Sequence, residues 1–229
     1  MKKTIGILGG MGPLATADLF RKIITHTQAS KDQEHIPVLI DNNTAIPDRT
    51  AALLHGGADP MPEMTKSAKR LEAAGADVLI MPCNTAHNYL ELLEQQVSIP
   101  FLNMIDLTCQ AMLEKGVTTA GLLATTGTIQ TGIYQRYASQ YGITILCPDE
   151  TQQEDVMQLI YGGVKAGNEA FDAAPVQQCA QELLSRGAQV MILGCTELPV
   201  AMQMYPLSFP AVDPTLELAL AAIRFASNG

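Results

Sequence analysis

Positive charge is scarce in this 229-residue chain: 14 lysines and arginines stand against 23 aspartates and glutamates, a formal net charge of −9. A surface of that sign repels phosphate backbones and anionic lipid, so neither nucleic acid nor a membrane surface is an expected partner. Long apolar runs are missing too, and none approaches the roughly 18–20 residues that a membrane-spanning helix needs. Lys2 and Lys3 before Thr4–Leu8 resemble the start of a signal peptide. Gly9-Gly10-Met11-Gly12-Pro13 then breaks the apolar stretch, and Asp18 and Arg21 follow at once. The expectation is a mature cytoplasmic protein. Paired cysteines are also lacking. The five, at positions 83, 109, 147, 179 and 195, include no CxxC, so neither a disulfide scaffold nor a zinc site is expected.

What is present suits a compact fold. Hydrophobic residues make up 47% and charged residues 16%, enough for a buried core in one or two lobes. Short strand-like runs (Ile5–Leu8, Val38–Ile40, Val78–Met81, Phe101–Leu102, Ala120–Leu123, Ile143–Leu146, Val190–Leu193, Ala211–Val212) alternate with helical patterns. Two such patterns are Leu14, Ala17, Phe20, Ile23, Ile24 and Met61, Met64, Ala68, Leu71. That alternation predicts βαβ units and parallel sheets.

The chain is also written twice. Thr4-Ile5-Gly6-Ile7-Leu8 recurs as Thr119-Ala120-Gly121-Leu122-Leu123, and Ile36–Leu39 recurs loosely as Ile143–Leu146. Gly75-Ala76-Asp77-Val78-Leu79-Ile80-Met81-Pro82-Cys83 recurs as Gly187-Ala188-Gln189-Val190-Met191-Ile192-Leu193-Gly194-Cys195, and Ser98-Ile99-Pro100 as Ser208-Phe209-Pro210. The expected fold is therefore α/β, with two pseudo-symmetric lobes, each a roughly four-stranded parallel sheet flanked by helices. The first lobe is expected over 1–103, with 207–229 packing back on it, and the second over 104–206. Ligands of parallel α/β sheets bind beyond the carboxyl ends of the strands. Cys83 and Cys195 stand at that end of equivalent strands, so a cleft between the lobes with one thiol on each side is the expected active site.

Two equivalent thiols about one carbon suit inversion of a stereocentre by proton transfer. One takes the α-proton from one face, and the other delivers a proton to the opposite face. Strand-end cysteines can also be plain core residues, and that reading fits Cys109, Cys147 and Cys179. Glu197 and His87 are candidates to tune the thiols, or else simple helix-opening or surface residues. Arg49 and Lys165 are candidate clamps for a substrate carboxylate, with solvated surface charge as the alternative. The strongest competing motif is Gly10-x-Gly12-x-x-Ala15 after a strand, with Asp41 closing the next one. It permits a dinucleotide-binding turn and an NAD-dependent oxidoreductase. In the second half, Ala124-Thr125-Thr126-Gly127-Thr128 loses those glycines, which argues for a turn shaped for a shared cleft.

Through Gly9-Gly10-Met11-Gly12-Pro13, Pro82-Cys83-Asn84-Thr85-Ala86-His87 and Gly194-Cys195-Thr196-Glu197-Leu198-Pro199 the chain resembles the aspartate/glutamate racemase superfamily over essentially its whole length. The resemblance is strongest to the cofactor-independent aspartate racemases. It implies interconversion of L- and D-aspartate, with glutamate a weaker substrate, by a homodimer needing neither pyridoxal phosphate nor metal. It implies Cys83 and Cys195 as the two acid/bases. Asn84, Thr85 and Thr196 would hold the α-carboxylate and amino group, and Arg49 and Lys165 the side-chain carboxylate. Glutamate racemases carry histidine where Glu197 stands, which points to the aspartate branch. A broad-specificity amino-acid or hydantoin racemase, or a non-catalytic amino-acid-binding protein, would share much of this pattern.

Overall fold

A computed structural model describes residues 2–227. In chain order it forms β1 (Ile5–Gly9), α1 (Pro13–His26), β2 (Val38–Asn42), α2 (Arg49–Leu54), α3 (Met61–Ala73), β3 (Val78–Ile80), α4 (Leu90–Glu94) and α5 (Met104–Glu114). There follow β4 (Thr119–Ala124), α6 (Thr126–Gln130), α7 (Ile133–Ala138), β5 (Thr144–Leu146) and α8 (Glu150–Gln158). A π-helical turn (Leu159–Lys165), α9 (Ala174–Ser185), β6 (Val190–Gly194), α10 (Leu198–Met204), β7 (Ala211–Val212) and α11 (Pro214–Ser227) complete it. The chain divides into two compact units, one holding residues up to Leu107 and those from Thr215 on, the other Thr108–Pro214. Leu207–Pro214 thus stays with the second unit instead of returning to the first, because β7 pairs with β6.

Both sheets are parallel and share one strand order. The first runs β2-β1-β3 and the second β5-β4-β6-β7. The fourth strand expected of the first sheet shrinks to a single bridge, Phe101 beside Leu79. The repeated Ser-x-Pro explains both edges: Pro100 accepts from Leu79 N–H and Pro210 from Met191 N–H, each at 2.8 Å. In the first unit Asn103 then opens α5, so pairing stops there.

The repeat also governs how each sheet meets its helices. Gly6 in β1 and Gly121 in β4 leave room where a Cβ would come 2.7 Å from Leu79 and 2.6 Å from Met191. Past α3 and α9, Gly75 and Gly187 adopt positive φ and turn the chain back to a strand. The next polar residue ties that strand to its neighbour, since Asp77 accepts from Thr4 N–H at 2.7 Å and Gln189 from Thr119 N–H at 3.0 Å. On the first sheet, Leu8, Leu79, Met64, Ala68 and Leu71 pack on one side. Ile5, Ile7, Leu19, Ile23 and Leu218 pack on the other. α3 buries the face its spacing predicts, but α1 does not. Its Leu14 and Ile24 are exposed, and Ala15, Leu19 and Ile23 are buried beside a buried Asp18–Lys22 ion pair at 2.5 Å.

Candidate active site

In the first unit the functional side chains gather beyond the carboxyl ends of β1, β2 and β3. The turn after β1 is built around Gly10, whose φ is +92° and whose missing Cβ would lie 2.4 Å from the Asn43 backbone. Gly10 N–H donates to Thr16 Oγ1 at 3.0 Å, and that hydroxyl donates to Gly12 carbonyl at 2.9 Å. The glycines therefore let two strand-end loops touch. The turn does not read as a pyrophosphate cradle, since Pro13 removes one amide and Gly10's is already engaged. Asp41, the expected ribose contact of a dinucleotide site, is paired with Arg70 at 2.7 Å.

Arg49 is buried at the start of α2, behind an Asp48 N-cap that accepts from Ala51 N–H at 2.8 Å. Its Nη1 donates to Pro47 carbonyl at 2.8 Å and Ile46 carbonyl at 3.3 Å, and its Nη2 to Met11 carbonyl at 3.1 Å. The guanidinium thus ties the loop after β2 to the glycine turn after β1. It also lies close enough to Tyr89 to oppose the rise in that phenol's pKa caused first by burial and then by Asp59.

Cys83, Asn84, Thr85 and His87 follow β3 on one buried turn that passes into a 3-10 helix at Thr85–Tyr89. His87 Nδ1 donates to Cys83 carbonyl at 2.8 Å, and Nε2 accepts from Met104 N–H at 3.1 Å. An acceptor at one nitrogen and a donor at the other fix the neutral Nδ1–H tautomer. Burial pulls its pKa down from 6.5 to about 4. His87 therefore does not tune the Cys83 thiol as an imidazolium. It braces the cysteine's own carbonyl against the first amide of α5, whose next two amides are capped by Asn103 Oδ1 at 3.0 and 3.2 Å. The spacing from Cys83 to His87 hinted at a link between them; the partner at Met104 is 17 residues on and left no local signal.

The second unit assembles a charged site on the equivalent strand end. Cys195, Thr196 and Glu197 follow β6 directly, each buried. The Cys195 thiol donates to Glu197 Oε2 at 3.0 Å, and Thr196 hydroxyl lies 3.4 Å from the same oxygen. Lys165, at the end of the π turn, binds Glu197 Oε1 at 2.6 Å and lies 5.7 Å over the Tyr161 ring. Burial pushes the Cys195 thiol well above its ordinary value, the Glu197 charge adds to this, and Lys165 opposes it. Cys195 rests as a thiol. Tyr161 and the π turn were not anticipated from the sequence. The turn after β4, matching the glycine turn after β1, buries Thr125 and Thr128 with their hydroxyls 3.1 Å apart.

The remaining thiols are bystanders. Cys109 and Cys179 are buried on α5 and α9, and Cys147 is half-buried just past β5. Burial drives Cys179 up to about 12 and raises Cys147 as well. Among the described residues no cluster of three or more His, Cys, Asp or Glu is placed to hold a metal ion. None of the described helices is long and apolar enough to cross a membrane.

The two parallel α/β units share one topology, and each places a buried cysteine just past its third strand. Residues 8–222 match the Asp/Glu/Hydantoin racemase family, and the chain belongs to it. Among full-length relatives, the broad specificity amino-acid racemase RacX of Bacillus subtilis is 31% identical over 224 residues, covering 96% of both chains. The structure of the Picrophilus torridus aspartate racemase superposes with a TM-score of 0.82 at 32% identity, over 98% of this chain and 94% of that one. A Francisella tularensis glutamate racemase in complex with D-glutamate shares the fold at 18% identity and a TM-score of 0.67, covering 99% of this chain and 82% of that one.

Proposed function

We propose that this racemase interconverts L- and D-aspartate by two-base proton transfer at Cα, with Cys83 and Cys195 as the bases and no cofactor. The observation that carries the reading is the Cys195 thiol hydrogen-bonded to Glu197, matched by Cys83 at the same point of the repeated topology. The Picrophilus likeness supports aspartate as the substrate. Cys195 rests protonated, so in this reading it is the acid of one direction and Cys83 the base of that direction. Cys83 sulfur takes the Cα proton, and the electron pair left on carbon delocalises into the α-carboxylate. Cys195 S–H then delivers its proton to the opposite face, leaving Cys83 a thiol and Cys195 a thiolate. The reverse reaction exchanges the roles.

Asn84, Thr85 and Thr196 are assigned to the α-carboxylate and amino group, and Arg49 and Lys165 to the side-chain carboxylate. Holding both ends of the substrate aligns Cα–H for transfer, and amides and hydroxyls about the α-carboxylate stabilise the enediolate. A carbanion formed without an imine is costly, so turnover is expected to be modest. A cytoplasmic homodimer is the assembly we assign to it, with glutamate as a weaker substrate.

A broad-specificity amino-acid racemase is the second reading. It is favoured by the full-length RacX relative and by the engagement of Arg49 Nη1 and Nη2 with main-chain carbonyls. One experiment separates the two. The protein is incubated in D2O, under reducing conditions, with L-aspartate, L-glutamate and a panel of apolar and basic amino acids, and the Cα proton is followed by NMR. Loss of the aspartate Cα proton, with optical activity decaying to zero, is the expected result. Faster exchange on apolar or basic substrates selects the second reading, and exchange on none of them rejects both.

A further inference from the structure

Lys165 is more than a candidate carboxylate clamp. Its Nζ lies 2.6 Å from Glu197 Oε1 while Glu197 Oε2 accepts the Cys195 thiol at 3.0 Å, so ammonium, carboxylate and thiol form one chain. The Glu197 side chain is 3% exposed and that of Lys165 26%, so the lysine is the end of the chain that a solute can reach. We infer that Lys165 is a positioning residue that sets the proton affinity of the Cys195 thiol, acting through Glu197.

The physical reason is charge arithmetic at short range. A lone carboxylate touching a sulfur penalises the thiolate, because two negative charges would share one buried site. An ammonium on the far oxygen offsets that penalty and anchors the carboxylate where the thiol can reach it. Among the described residues Glu197 and Lys165 are charged groups that act on this thiol, and Glu197 Oε2 also meets the neutral Thr196 hydroxyl. Lys165 is held in place from behind. A Cβ on Gly163 would lie 3.1 Å from the Tyr205 hydroxyl and 3.2 Å from Phe171, so the π turn sits tightly on both rings. Tyr205 in turn donates to Asn168 carbonyl at 2.6 Å, closing the loop that follows Lys165.

This has a consequence for catalysis. An anionic substrate group that draws Lys165 off Glu197 strengthens the hold of Cys195 on its proton, so substrate binding and proton donation are linked. That link rests on the reading of Cys195 as an acid/base; the charge chain itself does not.

The test needs no substrate. Thiolate formation at Cys195 is titrated on its rising limb between about pH 7 and 9, below the range in which lysines lose their charge, as the rate of alkylation by iodoacetamide, taken as the difference between each protein and its Cys195→Ser counterpart. Lys165→Met is expected to move the titration up by about one pH unit, roughly tenfold less thiolate on the rising limb, with Lys165→Gln behaving alike. Lys165→Arg should stay near wild type, and Glu197→Gln should move it down. In the Glu197→Gln background the Lys165→Met effect should shrink to less than about threefold, as coupling through a shared group requires. Circular dichroism checks that each variant is folded. Coincident titrations for wild type and both neutral variants overturn the inference, as does a Lys165→Met shift that persists undiminished without Glu197. Racemase activity does not enter, so a protein inert toward aspartate and a protein without this charge chain give separate results.

Discussion

Cys83 and Cys195 end equivalent strands of a repeated topology, yet the groups behind them differ in kind. Behind Cys83 stands a neutral imidazole whose two nitrogens are both spent on main chain, joining the cysteine carbonyl to the start of α5. Behind Cys195 stands a buried carboxylate bound to the sulfur on one oxygen and to an ammonium on the other. The repeat has carried over the scaffold, meaning the strand order, the glycine turns and the proline-edged last pairing. The residues just after each cysteine are where the halves diverge. One cysteine is braced through its backbone carbonyl and the other is met at its sulfur by a charged group.

The sharpest way to break the comparison is to remove either sulfur. Cys83→Ser and Cys195→Ser should each cut racemisation by roughly a thousandfold while leaving the circular dichroism spectrum unchanged, since acid–base groups contribute about 10²–10⁴-fold. Full activity in either variant would end the two-base mechanism. The second contrast is in pH. The folded His87 titrates at about 4 against 6.5 when unfolded, so between these values the unfolded chain binds a proton that the folded chain refuses. Stability then rises with pH through that window, and on acidification roughly 3 kcal/mol is lost between pH 6.5 and 4. Urea unfolding across the window should show a steeper slope in wild type than in His87→Gln, since the lowered carboxylates act in both; parallel curves would mean that the imidazole is not buried and neutral.

A smaller effect is expected on catalysis itself. His87→Ala frees the Cys83 carbonyl and the Met104 amide, so kcat should fall by about tenfold with KM little changed, because position is lost and not binding. A rise in KM alone would move His87 to the substrate. Smallest of all, Arg49→Ala should raise KM for aspartate severalfold to about tenfold if the guanidinium clamps a carboxylate. If instead it only lowers the urea midpoint, Arg49 is the tie between two loops and nothing more.

Much of this was legible in residue order. Seven of the eight expected strand positions, the twofold repeat, the strand-end cysteines and the contact of Glu197 with its thiol follow from patterns within a few residues. Pairing of Glu197 with Lys165 spans 32 residues and was not anticipated, nor was the brace from His87 to Met104. The helical pattern of α1 is present, but the burial of Asp18 and Lys22 as an ion pair and the exposure of Leu14 and Ile24 are not visible in apolar spacing.

The sequence by itself determined the parallel α/β class, the duplicated run of strand segments and the places of the two thiols along the chain, because period, glycine spacing and repetition are local properties of the chain. Only the tertiary structure decided which charge meets which. It turned His87 from a tuner into a neutral brace, gave Arg49's Nη1 and Nη2 to main-chain carbonyls, and set Lys165 on Glu197. Electrostatics at a buried site depends on distances of about 3 Å and on exclusion of water, and both are products of packing.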